Sequence, residues 1–346
     1  MTTDTLPDTI RAEAELEEVM TRPRPVLVEF MKTVSSPLYV LGAGGKMGPT
    51  LAVLARRAAD AAGRKLDVVA VSRFSDERAR RTLEEQGVLT RSVDLLDRHA
   101  VAKLDDATDI VYLVGLKFGT TENAAPTWAI NTLVPANVCE RFPKARIVAL
   151  SSGNVYPFVT VASGGSVESD GLTPLGEYPN AAVARERIFE YFSQKNGTRV
   201  ATIRLNYAVD LRYGVLVDIA RQIWAGSPLD VTMGHLNCIW QGDANEIILR
   251  ALDLAASPVS PLNLTGRIVR IRDLAEKLGV MLGKQPQIVG REAPTALLSN
   301  PSRMEEKLGP PATSLDTMLR WTADWIQQGG RLLDKPTHFE VRDGKY

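Results

Sequence analysis

Cysteine, histidine and net charge are all in short supply in this chain. Only Cys139 and Cys238 occur, and neither has a metal-type spacing to the other or to any of the 3 histidines, which argues against a disulfide scaffold or a zinc site. Both cysteines read as buried small apolar residues. Lys+Arg 41 against Asp+Glu 41 leaves no net charge, so composition offers no electrostatic attraction toward nucleic acid or an anionic membrane. The longest apolar runs, such as IVYLVGL at 110–116, are far too short to span a bilayer. The opening MTTDTLPDTIRAEAELEE is acidic and polar, without the basic start and apolar stretch of a secretory signal. A reducing cytoplasm is the expected location. There is no internal repeat and no low-complexity segment.

With 346 residues, 45% of them apolar, the chain can bury a sizeable core as one large α/β unit or a domain with a smaller companion. Residues 1–35 read as an added segment of one or two helices, AELEEVM and VLVEFMKTV, separated by the prolines of TRPRP. From Pro37, short apolar strands alternate with helical stretches: PLYVL, LDVVAVS, VLTRSV, DIVYLVGL, RIVALSS and VATIRL, with helices ending near 62 and spanning about 76–86, 126–141 and 179–195. This alternation predicts a doubly wound parallel sheet with helices on both faces. Beyond Asn206 the pieces shorten and prolines separate them, which predicts a small lobe over 207–346 that partly shares the main sheet, beside a Rossmann-type unit over 36–206. A late strand, PLNLTG, is expected within that lobe.

Directly after the first strand, LGAGGKMGPTLA places Gly42, Gly45 and Gly48 in a G-x-x-G-x-x-G turn that opens a helix. Glycines there allow close approach to a pyrophosphate, and the helix start offers unpaired N–H groups and the positive end of its dipole. Gly42, Gly45, Lys46, Met47 and Gly48 are therefore expected to line a dinucleotide. The second strand ends in Ser72-Arg73, where an NAD-preferring site would place a carboxylate to accept from the ribose 2′-hydroxyl. Ser72 and Arg73 would instead donate to a 2′-phosphate, so NADP is favoured and NAD remains possible.

These glycines, with SVDLLD at 92–97, GLKFGTTENAAPTWAIN at 115–131, ALSSGNVY at 149–156 and Tyr178, resemble the extended short-chain dehydrogenase/reductase family, the nucleotide-sugar epimerases and dehydratases, over about residues 37–325. The resemblance implies a Rossmann-type sheet, a nicotinamide cofactor across its C-terminal edge, and a substrate lobe from the second half. It implies that Asp94 and Leu95 border the adenine, that Lys117 stands near cofactor and substrate, and that Asn131 lies on a helix leading to the site. Ser152 would polarise the substrate oxygen. Each has a plain structural reading beside this one: Asp94 as a loop cap, Asn131 as a helix side chain bonded to backbone, Ser152 as the end of a buried strand.

The same resemblance picks the catalytic tyrosine. Tyr178 stands 26 residues after Ser152 and eight before Glu186, whereas Tyr191 and Lys195 fall near the helix end at Asn196-Gly197 and read as an ordinary helix face. Pro179 suits the first helical turn. The family's lysine, four residues after the tyrosine, is here Ala182. That lysine normally binds the nicotinamide ribose and supports the phenolate; an unassisted tyrosine is ionised to only about one part in a thousand at pH 7. Three readings follow: Lys117 supplies the missing charge, or Tyr178 acts as a neutral acid or hydrogen-bond partner, or the chain binds cofactor without turnover as a sensor or scaffold.

In HLNCIWQGDANEI, Asp243 and Glu246 form an expected capping box. The diphosphate-clamping arginine that the resemblance would place seven residues earlier is Leu236. Arg291 and the pair Ser302-Arg303 followed by Leu308-Gly309 match later family positions. Loss of one anion-binding arginine points to a free or simply modified sugar or sugar acid, oxidised or epimerised through a keto form. Family likeness also implies a homodimer through the helices beginning near 126 and 179.

Overall fold

The computed structural model describes residues 6–117 and 123–344. Residues 118–122, within the GLKFGTTENAAPTWAIN motif, lie outside the described residues. Strands β1 (Leu38–Leu41), β2 (Val68–Ser72), β3 (Leu89–Ser92), β4 (Asp109–Tyr112), β5 (Arg146–Ser152), β6 (Arg199–Leu205) and β7 (Ser260–Leu264) form one seven-stranded sheet in the order β7-β6-β5-β4-β1-β2-β3. Every pairing in it is parallel. The order reverses between β1 and β4, which is the switch point where a Rossmann-type sheet opens a crevice at its carboxyl ends.

Alternate residues of each strand feed opposite cores. Leu38 and Val40 join Val68, Ala70, Val111 and Val148 on one face; Tyr39 and Leu41 join Val69, Val71, Ile110 and Ile147 on the other. A strand buried on both faces must be apolar throughout, which is why these segments read as continuous runs. The helices are α1 (Glu13–Thr21), α2 (Pro25–Met31), α3 (Gly48–Ala61), α4 (Glu77–Glu85), α5 (Arg98–Ala102), α6 (Ala125–Arg141), α7 (Glu177–Asn196), α8 (Val215–Ala225), α9 (Gln241–Arg250), α10 (Ile271–Leu282), α11 (Ser302–Leu308) and α12 (Leu315–Gln327). Helices α2, α3 and α9 cover the first face; α6 and α7 cover the second.

A separate core joins α8, α10 and α12 with short strand pairs, and holds Trp240, Trp321 and Trp325. Trp240 and Trp321 meet edge to face at 5.2 Å between ring centroids. The N-terminal helices tie both cores together: Leu16 and Met20 of α1 sit in this second core, while Leu27 and Met31 of α2 sit against the sheet. Cys139 and Cys238 are both buried thiols.

The capping box expected at Asp243 and Glu246 does not form. Helix α9 starts earlier, at Gln241, with Trp240 at its N-cap, so Asp243 lies inside the first turn. Its carboxylate accepts from the Thr313 N–H at 2.7 Å, and Glu246 instead takes a bidentate contact from Arg24 at 2.6 Å. Tertiary partners outcompete the local cap because both carboxylates are buried and each must find a donor.

The described residues after α12, 328–344, form neither helix nor strand, yet they are anchored. Thr337 donates to Asp218 through its backbone N–H at 2.8 Å and its hydroxyl at 2.6 Å. Arg342 donates to the Thr295 carbonyl and hydroxyl, each at 2.7 Å, and stacks over Phe158. Gly344 then packs backbone to backbone on Leu175 and Gly176, at the start of α7.

Candidate functional site

The glycine turn forms one wall of the crevice. Gly42 has φ +82°, and a Cβ there would meet Val114 Cγ2 at 2.9 Å, so the turn requires glycine for both conformation and space. At Gly48, the first residue of α3, a Cβ would run into the backbone of Ala43. This lets the helix start pack directly onto the turn. Gly42, Gly44 and Gly45 face Ser72, Arg73, Phe74 and Asp76 from β2 and its loop, and Val114 and Gly115 from the end of β4. Together they line a cleft of about 280 Å³. Its floor is bare backbone, the kind of cradle an extended diphosphate ester needs, and the residues present fit a dinucleotide.

On the β2–β3 side of the cleft the side chains are surface groups. Arg73 is exposed, and its carbonyl accepts from Ser92 Oγ at 3.0 Å. Asp76 caps α4 by accepting from the Arg78 N–H at 2.9 Å. Asp94 is exposed and closes its own turn, accepting from the Leu96 N–H at 3.0 Å; Leu95 beside it is buried. Met47 is buried at the N-cap of α3.

Lys46 behaves differently from its glycine neighbours. Its stem is open to solvent, but its ammonium turns toward the lobe, donates to the Ala208 carbonyl at 2.8 Å and lies 4.0 Å from the Tyr213 ring centroid. Enclosure of that ammonium pulls its pKa down to about 7; Asp210 opposes this, while Arg212 and Lys117 add to it. Lys117 is half-buried, and burial brings its ammonium down to about 8. The two lysines are thus within electrostatic reach of each other, where the end of β4 meets the loop 207–213. Tyr213 is pushed up to about 12, first by burial and then by the negative charge of Asp218 and by Tyr178.

Beyond β4, strand β5 and the start of α7 bring further groups to the same carboxyl edge of the sheet. Ser152 ends β5, buried, with its Oγ 3.2 Å from the Asn154 N–H and 3.1 Å from Asn154 Oδ1. Tyr178 stands in the first turn of α7, buried to 8% exposure, and α7 packs on the turn 153–155 that follows Ser152. Ala182, one turn further, is fully buried, and its methyl group packs with Val155 and Tyr156. Tyr191 is 52% exposed, with the Lys195 ammonium 5.4 Å from its ring centroid, a solvated helix face.

Beneath Ser152 and Tyr178 lies a buried polar network. Glu186 pairs with Arg204 at 2.8 Å and accepts from Ser151 Oγ at 2.5 Å. Arg204 also donates to Tyr156 Oη at 2.7 Å, and Tyr156 donates to Asn263 at 2.8 Å, tying α7 to β6 and β7. Burial raises the Tyr156 hydroxyl to about 12, with Arg204 opposing. Glu186, which the motif register singled out, is a structural anchor here.

One residue that sequence reasoning passed over stands out. Arg185 is only 4% exposed, and its Nη1 donates to the Val114 carbonyl at 2.8 Å and to Asn131 Oδ1 at 2.9 Å. Asn131 in turn donates from Nδ2 to the Thr127 carbonyl at 2.8 Å. An arginine among helix-surface residues carries no sequence signal of this, since its neighbours Arg187 and Glu190 form an exposed i,i+3 pair. Of the phosphate-binding candidates, Arg291 is exposed, and Arg303 donates to Ser260 Oγ at 3.2 Å from the surface. Leu236 is buried in the second core.

A parallel sheet of this order, with a glycine-floored crevice at its switch point, defines a Rossmann-type α/β protein. Residues 38–209, which hold the glycine turn, Ser152 and Tyr178, match the model of the NAD dependent epimerase/dehydratase family. Among solved structures it is similar to UDP-glucose 4-epimerase of Thermotoga maritima with UDP-glucose, at 16% identity and TM-score 0.69, covering 85% of this chain and 99% of that one. It is similar to dTDP-glucose 4,6-dehydratase of Bacillus anthracis in complex with NAD, at 14% identity and TM-score 0.71, covering 85% and 97%. Thermus thermophilus UDP-glucose 4-epimerase with NAD matches at 18% identity and TM-score 0.68, covering 84% and 99%. No curated protein matches the sequence. Among the described residues no helix is long and apolar enough to cross a membrane.

Proposed function

We propose that the protein is an NAD(P)-dependent oxidoreductase or epimerase acting on a hydroxyl of a sugar or sugar acid by way of a keto form. The observation that carries this reading is the carboxyl edge of the sheet: a glycine-floored cleft at the switch point, and Ser152 with Tyr178 further along the same edge. Residues 36–206 would hold the cofactor and 207–346 would shape the substrate pocket. Gly42, Gly45 and Gly48 would take the diphosphate, and Asp94 and Leu95 the adenine. Ser72 and Arg73 would donate to a 2′-phosphate, which favours NADP over NAD. The bound nicotinamide would supply a hydride acceptor for the carbinol carbon. Ser152 would donate to the reacting oxygen and Tyr178 would remove its proton. Leu236, apolar where a diphosphate clamp would stand, supports a substrate without a nucleotide.

One observation favours a second reading. The methyl group of Ala182 is fully packed against Val155 and Tyr156, so α7 is finished there as an apolar surface. A protein that binds the dinucleotide without turnover would be built this way. Titration of the purified protein with NADPH and NADH, followed by sugars and sugar acids while nicotinamide absorbance is read, separates the two. Turnover that falls roughly a hundredfold or more in Tyr178→Phe, with cofactor affinity kept, supports the enzyme. Binding without turnover across the panel, unchanged in Tyr178→Phe, supports the silent protein. Helices α6 and α7 pack side by side and leave Trp128, Leu133 and Tyr191 exposed, which supports a homodimer through that face. Sedimentation would give twice the chain mass.

A further inference from the structure

The structure assigns Arg185 as the cation of the cofactor cleft: its guanidinium is placed to donate to the nicotinamide-side ribose of a bound dinucleotide, where the sequence offers Lys117 as one source of the missing charge. This rests on the proposed cofactor. A guanidinium at 4% exposure should have a carboxylate beside it, yet among the described residues Arg185 has no ion-pair partner. Its contacts are two neutral oxygens, the Val114 carbonyl and Asn131 Oδ1, and its Nε–H is buried without an acceptor. A buried donor left this way costs stability unless something else meets it.

Position says what that partner would be. Val114 and Gly115 form the cleft wall at the end of β4, across the switch point from Ser72 and Arg73. Gly115 has no side chain, and a Cβ there would run into Arg185 Nη1. The guanidinium therefore occupies the space where a Gly115 side chain would stand, directly beside this wall of the cleft. Side chains on a helix lean toward its N-terminus, and Arg185 stands seven residues after Tyr178, on the same face of α7. From there its Nη1 reaches the Val114 carbonyl, just past the end of β4. The Lys117 ammonium, by contrast, is close enough to Lys46 to be repelled by it, at the border with the loop 207–213. A dinucleotide held with its adenosine on the β2–β3 side would have its second ribose on the β4 side of the crevice, where Gly115 stands. Hydroxyl oxygens of that sugar are the acceptors a fork of N–H donors fits.

The test compares whole and half ligands on the full-length protein. Dissociation constants for NADP⁺, NAD⁺ and ADP would be measured by protein fluorescence for wild type, Arg185→Met, Arg185→Lys and Lys117→Met. We expect Arg185→Met to weaken the dinucleotide roughly ten- to a hundredfold while ADP, which lacks the second ribose, binds as in wild type. Arg185→Lys should recover part of the loss, and Lys117→Met should lose less than Arg185→Met. Retained ADP binding reports that the variant is folded. Equal dinucleotide affinity in wild type and Arg185→Met overturns the assignment, and so does a larger loss in Lys117→Met. If Arg185→Met loses ADP as well, Arg185→Lys decides, since a purely structural arginine would not restore the dinucleotide-over-ADP preference. Failure of wild type to bind any dinucleotide sinks the cofactor reading itself, a result distinct from the others.

Discussion

Two stretches of the sheet's carboxyl edge are built by different means. At the β1–β2 end the work is done by backbone: a turn of glycines, a helix start, and loops that carry the exposed Arg73, Asp76 and Asp94. At the α7 end it is done by buried side chains, Ser152, Tyr178, Asn131 and Arg185, drawn from three elements and resting on the Glu186–Arg204–Tyr156 network. Backbone recognition is local in sequence and tolerant of what surrounds it. Side-chain recognition needs every supporting contact in place, so the α7 end should be far more sensitive to changes beneath it.

The largest expected effect tests that claim directly. Glu186→Gln leaves Arg204 buried without its counter-charge and should destabilise the fold by about 3–5 kcal/mol in denaturant unfolding. If stability is unchanged, the α7 end is not a cooperative network and the contrast fails. Gly42→Ala attacks the other end: the positive φ and the contact with Val114 should cost about 1–3 kcal/mol and weaken dinucleotide and ADP together. Loss of the dinucleotide alone would mean the turn does not hold the shared diphosphate half.

Arg73→Glu should be milder, shifting the NADP⁺ to NAD⁺ preference roughly tenfold toward NAD⁺ with little change in thermal midpoint. An unchanged ratio would show that the exposed arginine does not read the 2′ position. The smallest effect concerns Lys46. Its ammonium releases its proton near pH 7 in the folded protein and near 10.5 in the unfolded chain, so between those values the unfolded state holds more protons and stability rises with pH. Below pH 7 both states are charged and the slope vanishes. Because the stem is solvated, screening reduces the size of this effect. Lys46→Met should flatten the rise; equal slopes in both proteins would show that the ammonium is not enclosed in solution.

The contrast also explains what could be read from the sequence. Strand-helix alternation and the spacing of Gly42, Gly45 and Gly48 are local patterns, and they led to the sheet, its two-sided burial and the glycine turn with few errors of boundary. The motif register placed Ser152 at a strand end and Tyr178 in the first turn of a long helix, where both are found. What could not be read depends on partners distant in the chain. Asp243 and Glu246 have the local form of a capping box, yet Thr313 and Arg24 claim them. Lys46 follows the glycine pattern but swings toward Ala208, 162 residues on. Arg185 has the look of a surface arginine until β4 and α6 close over it. The five-residue helix Arg98–Ala102 was too short for its period to register.

The contact of Gly344 with Leu175 and Gly176 bears on how the protein should be handled. Gly176 stands two residues before Tyr178, so Gly344 lies beside the start of the helix that carries the tyrosine proposed to do the chemistry. An affinity handle joined at the back would therefore start beside the proposed site, whereas α1 buries Leu16 and Met20 in the second core. Assays of this protein are best run on chains labelled at the front.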